Sequence, residues 1–373
     1  MIRILHVVSA MNRAGTETML MNYYRHIDRT IIQFDFAVSS KELNDYEDEI
    51  ISLGGRLIRY PRYTGLNHIK YIKWWKEFLS THEEYQIIHG HIGSTAAIYL
   101  GIAKKYGRFT IAHSHGKWGK LSLHQTLYMI YSYRTRFIAD YFFGCSMDAL
   151  LTRYGKKIAL NSQRSRVLNN AIELERYSFN ESVRKEMRQE LGVEENCFVL
   201  GTIGRFCKEK NPYFTLQIIE KMKKQGILFK FVWIGIGPMM DSVVNIITKK
   251  KLSDCILLLG LRDDIPQLLQ AFDAFILPSL SEGLGIVAIE SQAAGLPTIC
   301  STYVPNEVGI TNLVSFIDLD DMDKWINKII ESIGVERANT YNQIYDAKYD
   351  INENAMWLSN FYTTIFQKGR FEQ

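Results

Sequence analysis

Three observations predict an α/β fold built as two doubly wound parallel-sheet halves. Short apolar runs of strand length alternate with helical stretches along the whole chain. At 373 residues the chain is long enough for two domains with separate cores. One stretch, Asp273 to Pro297, shows the repeating unit plainly: DAFILPSLSEGLGIVAIESQAAGLP. Ala274 to Leu277 is an apolar run of buried-strand length, and Pro278 to Gly285 is rich in turn formers. Ile286 to Ala294 reads as a helix, stopped by Gly295 and Pro297. In such sheets ligands bind at the carboxyl ends of strands, so the loop carrying Glu282, Gly283, Leu284 and Gly285 is a candidate site.

The first half starts with a strand, Ile2 to Val8. Its apolar run is too short, and too soon followed by Arg13 and Glu17, to be a signal peptide. The loop Ser9 to Thr16 contains Gly15, and Thr16 or Thr18 is expected to cap a helix to about Ile27. Strand-like runs follow at Phe34 to Val38 and Leu57 to Tyr60, and helical ones at Tyr46 to Leu53 and Ile69 to Leu79. Gln86 to His91 and Phe109 to Ala112 are two further strands, each leading into paired histidines: His89 and His91, then His113 and His115. Four histidines invite a metal. Against it, no carboxylate lies between Tyr85 and Ala139, and the pairs end separate strands, so no metal site is expected. A long aromatic helix is predicted over about Ser122 to Phe137, then a strand at Tyr141 to Cys145 and a helix capped by Ser146. Arg166 to Asn169 is the last strand of this half.

The second half opens after a charged helix, Glu181 to Leu191. The strand Phe198 to Ile203 runs into Gly204-Arg205-Phe206, and Lys208, Lys210 and Asn211 precede a helix through Lys223. An arginine can grip phosphate oxygens bidentately and a lysine acts as a point charge. The strand Phe229 to Ile234 ends in Gly235-Ile236-Gly237-Pro238, which lacks the third glycine of a dinucleotide fingerprint. Strands at Ile256 to Leu259 and Leu313 to Ile317 complete this sheet, and Asp318 with Asp320 is expected to cap a following helix rather than bind a metal. A last amphipathic helix covers Glu353 to Phe366.

The net charge is +4, but Ile51 to Ala139 holds 13 Lys/Arg against three acids. Within it, Arg59 to Lys76 mixes bases with Tyr60, Tyr63, Tyr71, Trp74 and Trp75. That composition suits an anionic membrane surface, or else a helix with a basic outer face and buried aromatics. No nucleic-acid motif accompanies it, so a nucleic-acid partner is not expected. No apolar run approaches a membrane span, and the five scattered cysteines, without a C-x-x-C pair, fit reduced thiols in a cytoplasmic protein.

The Glu282 stretch resembles the E-x7-E signature of retaining glycosyltransferases with the GT-B fold, family 4, with PS-x-x-EG before it and A-x-G-x-P after it. GRFCKEKNP at Gly204 to Pro212 resembles that family's GR-[LF]-x-x-x-K[NG], and NRAGTETML its first loop, with Ala14 where a glycine is usual. The resemblance implies two facing Rossmann-like domains with the active site in the cleft between them. The acceptor-side domain would be 1–172, with the C-terminal helix of about 353–373 packing back on it, and 173–352 would bind the donor. It implies transfer of a hexose-type sugar from a nucleotide diphosphate sugar, most simply a UDP-sugar, with retention and without metal or other cofactor. The acceptor would be a saccharide or lipid-linked saccharide of bacterial exopolysaccharide, capsule or lipopolysaccharide assembly, at the inner face of the membrane. By this resemblance Glu290 binds ribose hydroxyls and Glu282 sugar hydroxyls, while Arg205 and Lys210 stabilise the departing diphosphate. His113, with His115 as second choice, contacts the sugar. Gly15, Leu261, Arg262, Gly283, Leu284 and Gly285 supply further donor contacts, largely through backbone. A nucleotide-sugar 2-epimerase and a non-catalytic relative of the same fold are the alternatives. Sequence says nothing of oligomeric state.

Overall fold

The computed structural model describes residues 1–116 and 132–371. The Ser122 to Tyr131 part of the predicted aromatic helix lies outside the described residues. The chain divides into two compact units, Met1–Ala171 with Ile351–Gln373, and Ile172–Asp350.

The first unit holds a parallel sheet of seven strands: β1 (Ile2–Val8), β2 (Ile32–Val38), β3 (Leu57–Arg59), β4 (Ile87–Gly90), β5 (Phe109–Ser114), β6 (Tyr141–Gly144) and β7 (Ser165–Val167). Their spatial order is β3-β2-β1-β4-β5-β6-β7. Order reverses between β1 and β4, which makes their carboxyl ends the switch point of the sheet. Side chains alternate along each strand, so both faces are buried. Ile4, Val8, Phe34, Phe36, Ile87, Ile111 and Phe143 share one core with the Gly15–His26 helix and with Ile351, Ala355, Leu358 and Tyr362 of the C-terminal helix. Leu5, Val7, Ile88, Ala112 and Phe142 face a second core built on Tyr71, Trp75 and Tyr99.

The second unit repeats the plan with six parallel strands: β8 (Phe198–Ile203), β9 (Phe229–Ile234), β10 (Ile256–Gly260), β11 (Ala274–Leu277), β12 (Thr298–Ser301) and β13 (Val314–Ile317). Their order is β10-β9-β8-β11-β12-β13, with the switch point between β8 and β11. Phe272 crosses under β8 so closely that a Cβ on Gly201 would meet its ring at 2.1 Å.

Two capping expectations are corrected. The first helix begins at Gly15 behind Ala14, with no side-chain cap, so neither Thr16 nor Thr18 fills that role; Glu17 does sit in the first turn. The Met322–Glu331 helix is capped by Asp321, which accepts from the Lys324 N–H, and not by Asp318 or Asp320. Asp318 instead accepts from the Thr302 hydroxyl at 2.6 Å. Ser146 does cap its helix, accepting from the Ala149 N–H. Among the described residues no disulfide joins any of the five cysteines. Among the described residues no helix is long and apolar enough to cross a membrane.

Candidate functional site

At the switch point of the second unit, two loops leave neighbouring strands. The loop after β8 carries Arg205 and Lys210, and the loop after β11 carries Ser279 to Gly285. They are tied by the Leu280 N–H donating to the Glu209 carbonyl at 2.7 Å. Lys210 Nζ donates to Glu282 Oε1 at 2.5 Å, and the Ser279 hydroxyl donates to the same oxygen at 2.6 Å. The Glu282 side chain is 9% exposed and that of Lys210 25%, so the pair is shielded but reachable. Arg205 is exposed.

The β8 loop is held by its neighbour. Gly204 N–H donates to Ile234 O, Phe206 N–H to Ile236 O, and Met239 N–H to Phe206 O. The two backbones come so near that a Cβ on Gly235 would stand 2.2 Å from Gly204 O, and one on Gly237 2.5 Å from Phe206 O. Gly235 also has φ +137°, a conformation side chains rarely adopt. The G-x-G after β9 thus serves loop-to-loop packing.

Gly285, at φ +87°, turns the chain into the Ile286–Ala293 helix. Glu290 is half-buried on that helix, and its Oε1 accepts from the Tyr177 hydroxyl at 3.0 Å. Burial pushes its carboxyl up to about 7, against the opposing pull of the Tyr177 hydrogen bond and the Lys210 charge. Lys210 therefore acts on both glutamates. Leu284 is buried and Gly283 exposed. Leu261 is 59% exposed, and Arg262 is already paired with Glu190 at 2.7 Å and Asp264 at 2.6 Å. Its guanidinium is thus committed within the protein. Tyr177 and Ser279 were missed in the sequence. Ser279 sits three residues before Glu282 and was legible as the serine of the PS-x-x-EG run, whereas Tyr177 lies 113 residues from Glu290 with no local signal.

The histidines lie in the first unit. His113 is 2% exposed on β5, with the rings of His115 at 4.0 Å, His91 at 5.2 Å and His89 at 5.3 Å. Neither of its ring nitrogens has a hydrogen-bond partner among the described residues. His6, absent from the sequence-based candidates, joins them from β1, opposite His89 in the β1–β4 register. Burial drives His6 and His115 down to about 3 and leaves the other three well below the usual imidazole range, so all five are neutral. Gly15 stands at the head of its helix with nothing within 4 Å of its Cβ position.

Residues 183–349 match the family model of Glycosyl transferases group 1. EpsF of Bacillus subtilis (strain 168), which bears the name of a glycosyltransferase, is 29% identical over 98% of this chain and 97% of its own. The Escherichia coli UDP-Gal:alpha-D-GlcNAc-diphosphoundecaprenol alpha-1,3-galactosyltransferase is 27% identical over 88% of this chain and 87% of its own. The crystal structure of Anabaena HepE in complex with UDP matches with a TM-score of 0.78 at 17% identity, covering 98% of this chain and 100% of that one. Residues 183–349 thus match glycosyl transferases group 1, within an architecture of two Rossmann-like parallel-sheet units of the GT-B fold.

Proposed function

We propose that the protein is a retaining glycosyltransferase that moves a sugar from a UDP-sugar to a saccharide or lipid-linked saccharide in bacterial polysaccharide assembly. The observation that carries this is the Lys210–Glu282–Ser279 cluster at the second switch point, with Arg205 on the same loop as Lys210. Cleaving the sugar–phosphate bond leaves one more negative charge on the diphosphate. Arg205 and Lys210 would offset it, doing there what a divalent metal does elsewhere. Glu282 would accept from donor-sugar hydroxyls and Glu290 from the ribose diol, since one carboxylate can take two O–H donors. Carboxylates so close to a diphosphate would repel it unless a cation stood between, and Lys210 holds that place.

No side chain is assigned as a nucleophile. The acceptor would attack on the face from which the diphosphate departs, with a phosphate oxygen taking its proton; a sugar contact by His113 would require uncovering its ring, which is 2% exposed. UDP is the nucleotide bound in HepE, and UDP-Gal with a diphosphoundecaprenol-linked acceptor is named for the Escherichia coli relative. Both support the donor and acceptor classes proposed. Work at the inner face of the membrane follows from a lipid-linked acceptor and from the basic face of the His68–Thr81 helix, where Lys70, Lys73 and Lys76 are exposed. The aromatics once offered to the membrane mostly face inward: Tyr71 and Trp75 are fully buried and Tyr60 is 6% exposed. That leaves lysines, Leu66 and Ile69 outside.

The test is a panel of UDP-, GDP- and ADP-sugars against free and lipid-linked saccharides, with product anomericity read by NMR. Product of unchanged anomericity from a UDP-sugar and an acceptor is expected. Inverted product would remove the retaining mechanism, and an altered nucleotide sugar formed from donor alone would favour the epimerase.

A further inference from the structure

Five of the nine histidines in the chain converge on one face of the first sheet. The cause is strand geometry. His6 follows Ile2 and Ile4 in phase on β1, His89 follows Ile87 on β4, and His113 follows Ile111 on β5, all on the face that packs against the C-terminal helix. His91 and His115 lie two residues beyond, at the carboxyl ends of the same strands. The sequence reading counted four and left out His6, and so saw two separate pairs. With β1 between β2 and β4, the third strand closes the set.

We propose that His6, His89 and His91 form a binding site for one divalent transition-metal ion of the zinc type, held by imidazole nitrogens alone. Each residue offers a nitrogen, and the three atoms lie within 4.8 Å of one another. Zinc–imidazole bonds of about 2.0–2.1 Å set tetrahedral ligand nitrogens about 3.4 Å apart, so side-chain adjustments of well under a turn suffice. His6 Nδ1 and His91 Nε2 already face each other at 3.0 Å. His89 Nε2 is buried without a partner among the described residues, on a residue 1% exposed. Left so, a buried polar atom is destabilising.

Two of the three ligands have the outer contact a ligated imidazole needs; His6, binding through Nδ1, keeps a buried Nε2 without a partner among the described residues. A histidine that binds through one nitrogen presents its other N–H to a fixed acceptor, which sets tautomer and ring angle. His89 Nδ1 lies 2.6 Å from the hydroxyl of Tyr362, itself fully buried on the C-terminal helix. His91 Nδ1 lies 2.8 Å from His115 Nε2. Both arrangements turn Nε2 toward the ion: that of His89 has no partner among the described residues, and that of His91 faces His6 Nδ1, itself a ligand atom. The second histidine triad, His91, His113 and His115, shares His91 with the first, so one ion rather than two is expected. Neither triad includes a carboxylate or thiolate, and an all-imidazole set selects zinc, copper, nickel or iron over magnesium or calcium. Phe34 and Phe36 wall the His6 side, while His91 is half-buried. The ion would clamp β1 to β4 where the loops of the first switch point begin. None of this depends on the donor site of the second unit.

The experiment uses untagged full-length protein, stripped with chelator and titrated with Co2+, then Zn2+, following visible absorption, bound metal per chain and melting temperature. One Co2+ per chain with a tetrahedral spectrum, displaced by Zn2+, and a higher Tm with metal are expected. His89→Gln should abolish the spectrum. Tyr362→Phe, which keeps all three ligands, should weaken affinity about 10–100-fold and leave the metal-free fold intact. That variant keeps the test decisive should His89→Gln fail to fold. No stoichiometric uptake by the wild-type protein would overturn the site. So would uptake lost in a His26→Gln, His68→Gln, His82→Gln variant and kept in His89→Gln, which would make binding adventitious and superficial.

Discussion

Lys210 and Glu282 neutralise each other at 2.5 Å. A diphosphate would compete for the lysine and a sugar hydroxyl for the carboxylate, so the pair is set to open toward a donor carrying both groups. Lys210→Ala should lower turnover with a UDP-sugar at least tenfold, a barrier of about 1.4 kcal/mol or more. Arg205 is the cleaner probe, because it is exposed and Arg205→Ala should leave Tm unchanged while turnover falls by a similar factor. A kcat/KM within twofold of wild type for either variant would remove that residue from the site. Glu290 gives a pH test. Its carboxyl, pushed up to about 7 by burial, is protonated below that pH and charged above it. The native state thus keeps a proton that the unfolded chain has released, so this group takes stability away as pH rises from the ordinary carboxylate range to about 7. Donor binding runs the other way if the ribose diol needs the carboxylate: affinity for a UDP-sugar should rise from about pH 6 to about pH 8. Glu290→Gln should flatten that slope. Tyr177→Phe, which removes the hydroxyl that steadies the charged form, should move its midpoint upward. A flat affinity profile in the wild type, measured by calorimetry across that range, would refute the ribose role.

At the scale of the element, the glycines after β9 decide whether the phosphate loop stands where it does. Gly235→Ala would bring a Cβ to within 2.2 Å of Gly204 O at φ +137°. Forcing a side chain into such backbone costs about 1–3 kcal/mol, before the clash itself is counted. The variant should lose stability in urea and also weaken UDP-sugar binding, since Gly204 leads directly into Arg205. Lost stability with unaltered affinity would show that the two loops are not coupled. The same glycines mark what a sequence can show of this fold. The G-x-G was plain to see, but its reason lies in the loop after β8, more than 30 residues earlier. Strands such as Ile2–Val8, Phe198–Ile203 and Ala274–Leu277 were legible to the residue because a strand buried on both faces is an unbroken apolar run. Caps were not. Thr16, Thr18, Asp318 and Asp320 are all good cap residues, and what selected Ala14 and Asp321 instead was where the chain enters the helix. Ser279, Glu282 and Lys210 could be found from spacing within two short motifs. Tyr177 and His6 could not, because each acts through a partner brought close only by strand order and helix packing.

At the scale of the molecule, part of the excess positive charge of the first unit lies on the outer face of the helix His68–Thr81. Tyr71, Trp75, Phe78 and Leu79 turn inward, and Lys70, Lys73 and Lys76 form an exposed stripe at three-residue spacing. Leu66 and Ile69, 101% and 83% exposed, stand at its head. A basic stripe ending in free aliphatic side chains is suited to lie on anionic lipid, with the lysines at the headgroups and the aliphatic pair reaching between them. Each lysine near such a surface contributes about 1 kcal/mol, so replacing all three with glutamine should weaken binding by about two orders of magnitude. Leu66→Ser with Ile69→Ser should weaken it further without changing its salt dependence, because those side chains act through burial rather than charge. Sedimentation with vesicles of mixed phosphatidylglycerol and phosphatidylcholine, against phosphatidylcholine alone, reads both effects. Equal binding to the two vesicle types, or a triple-lysine variant that sediments like wild type, would leave the stripe as a solvated surface and the acceptor lipid to be found by other means.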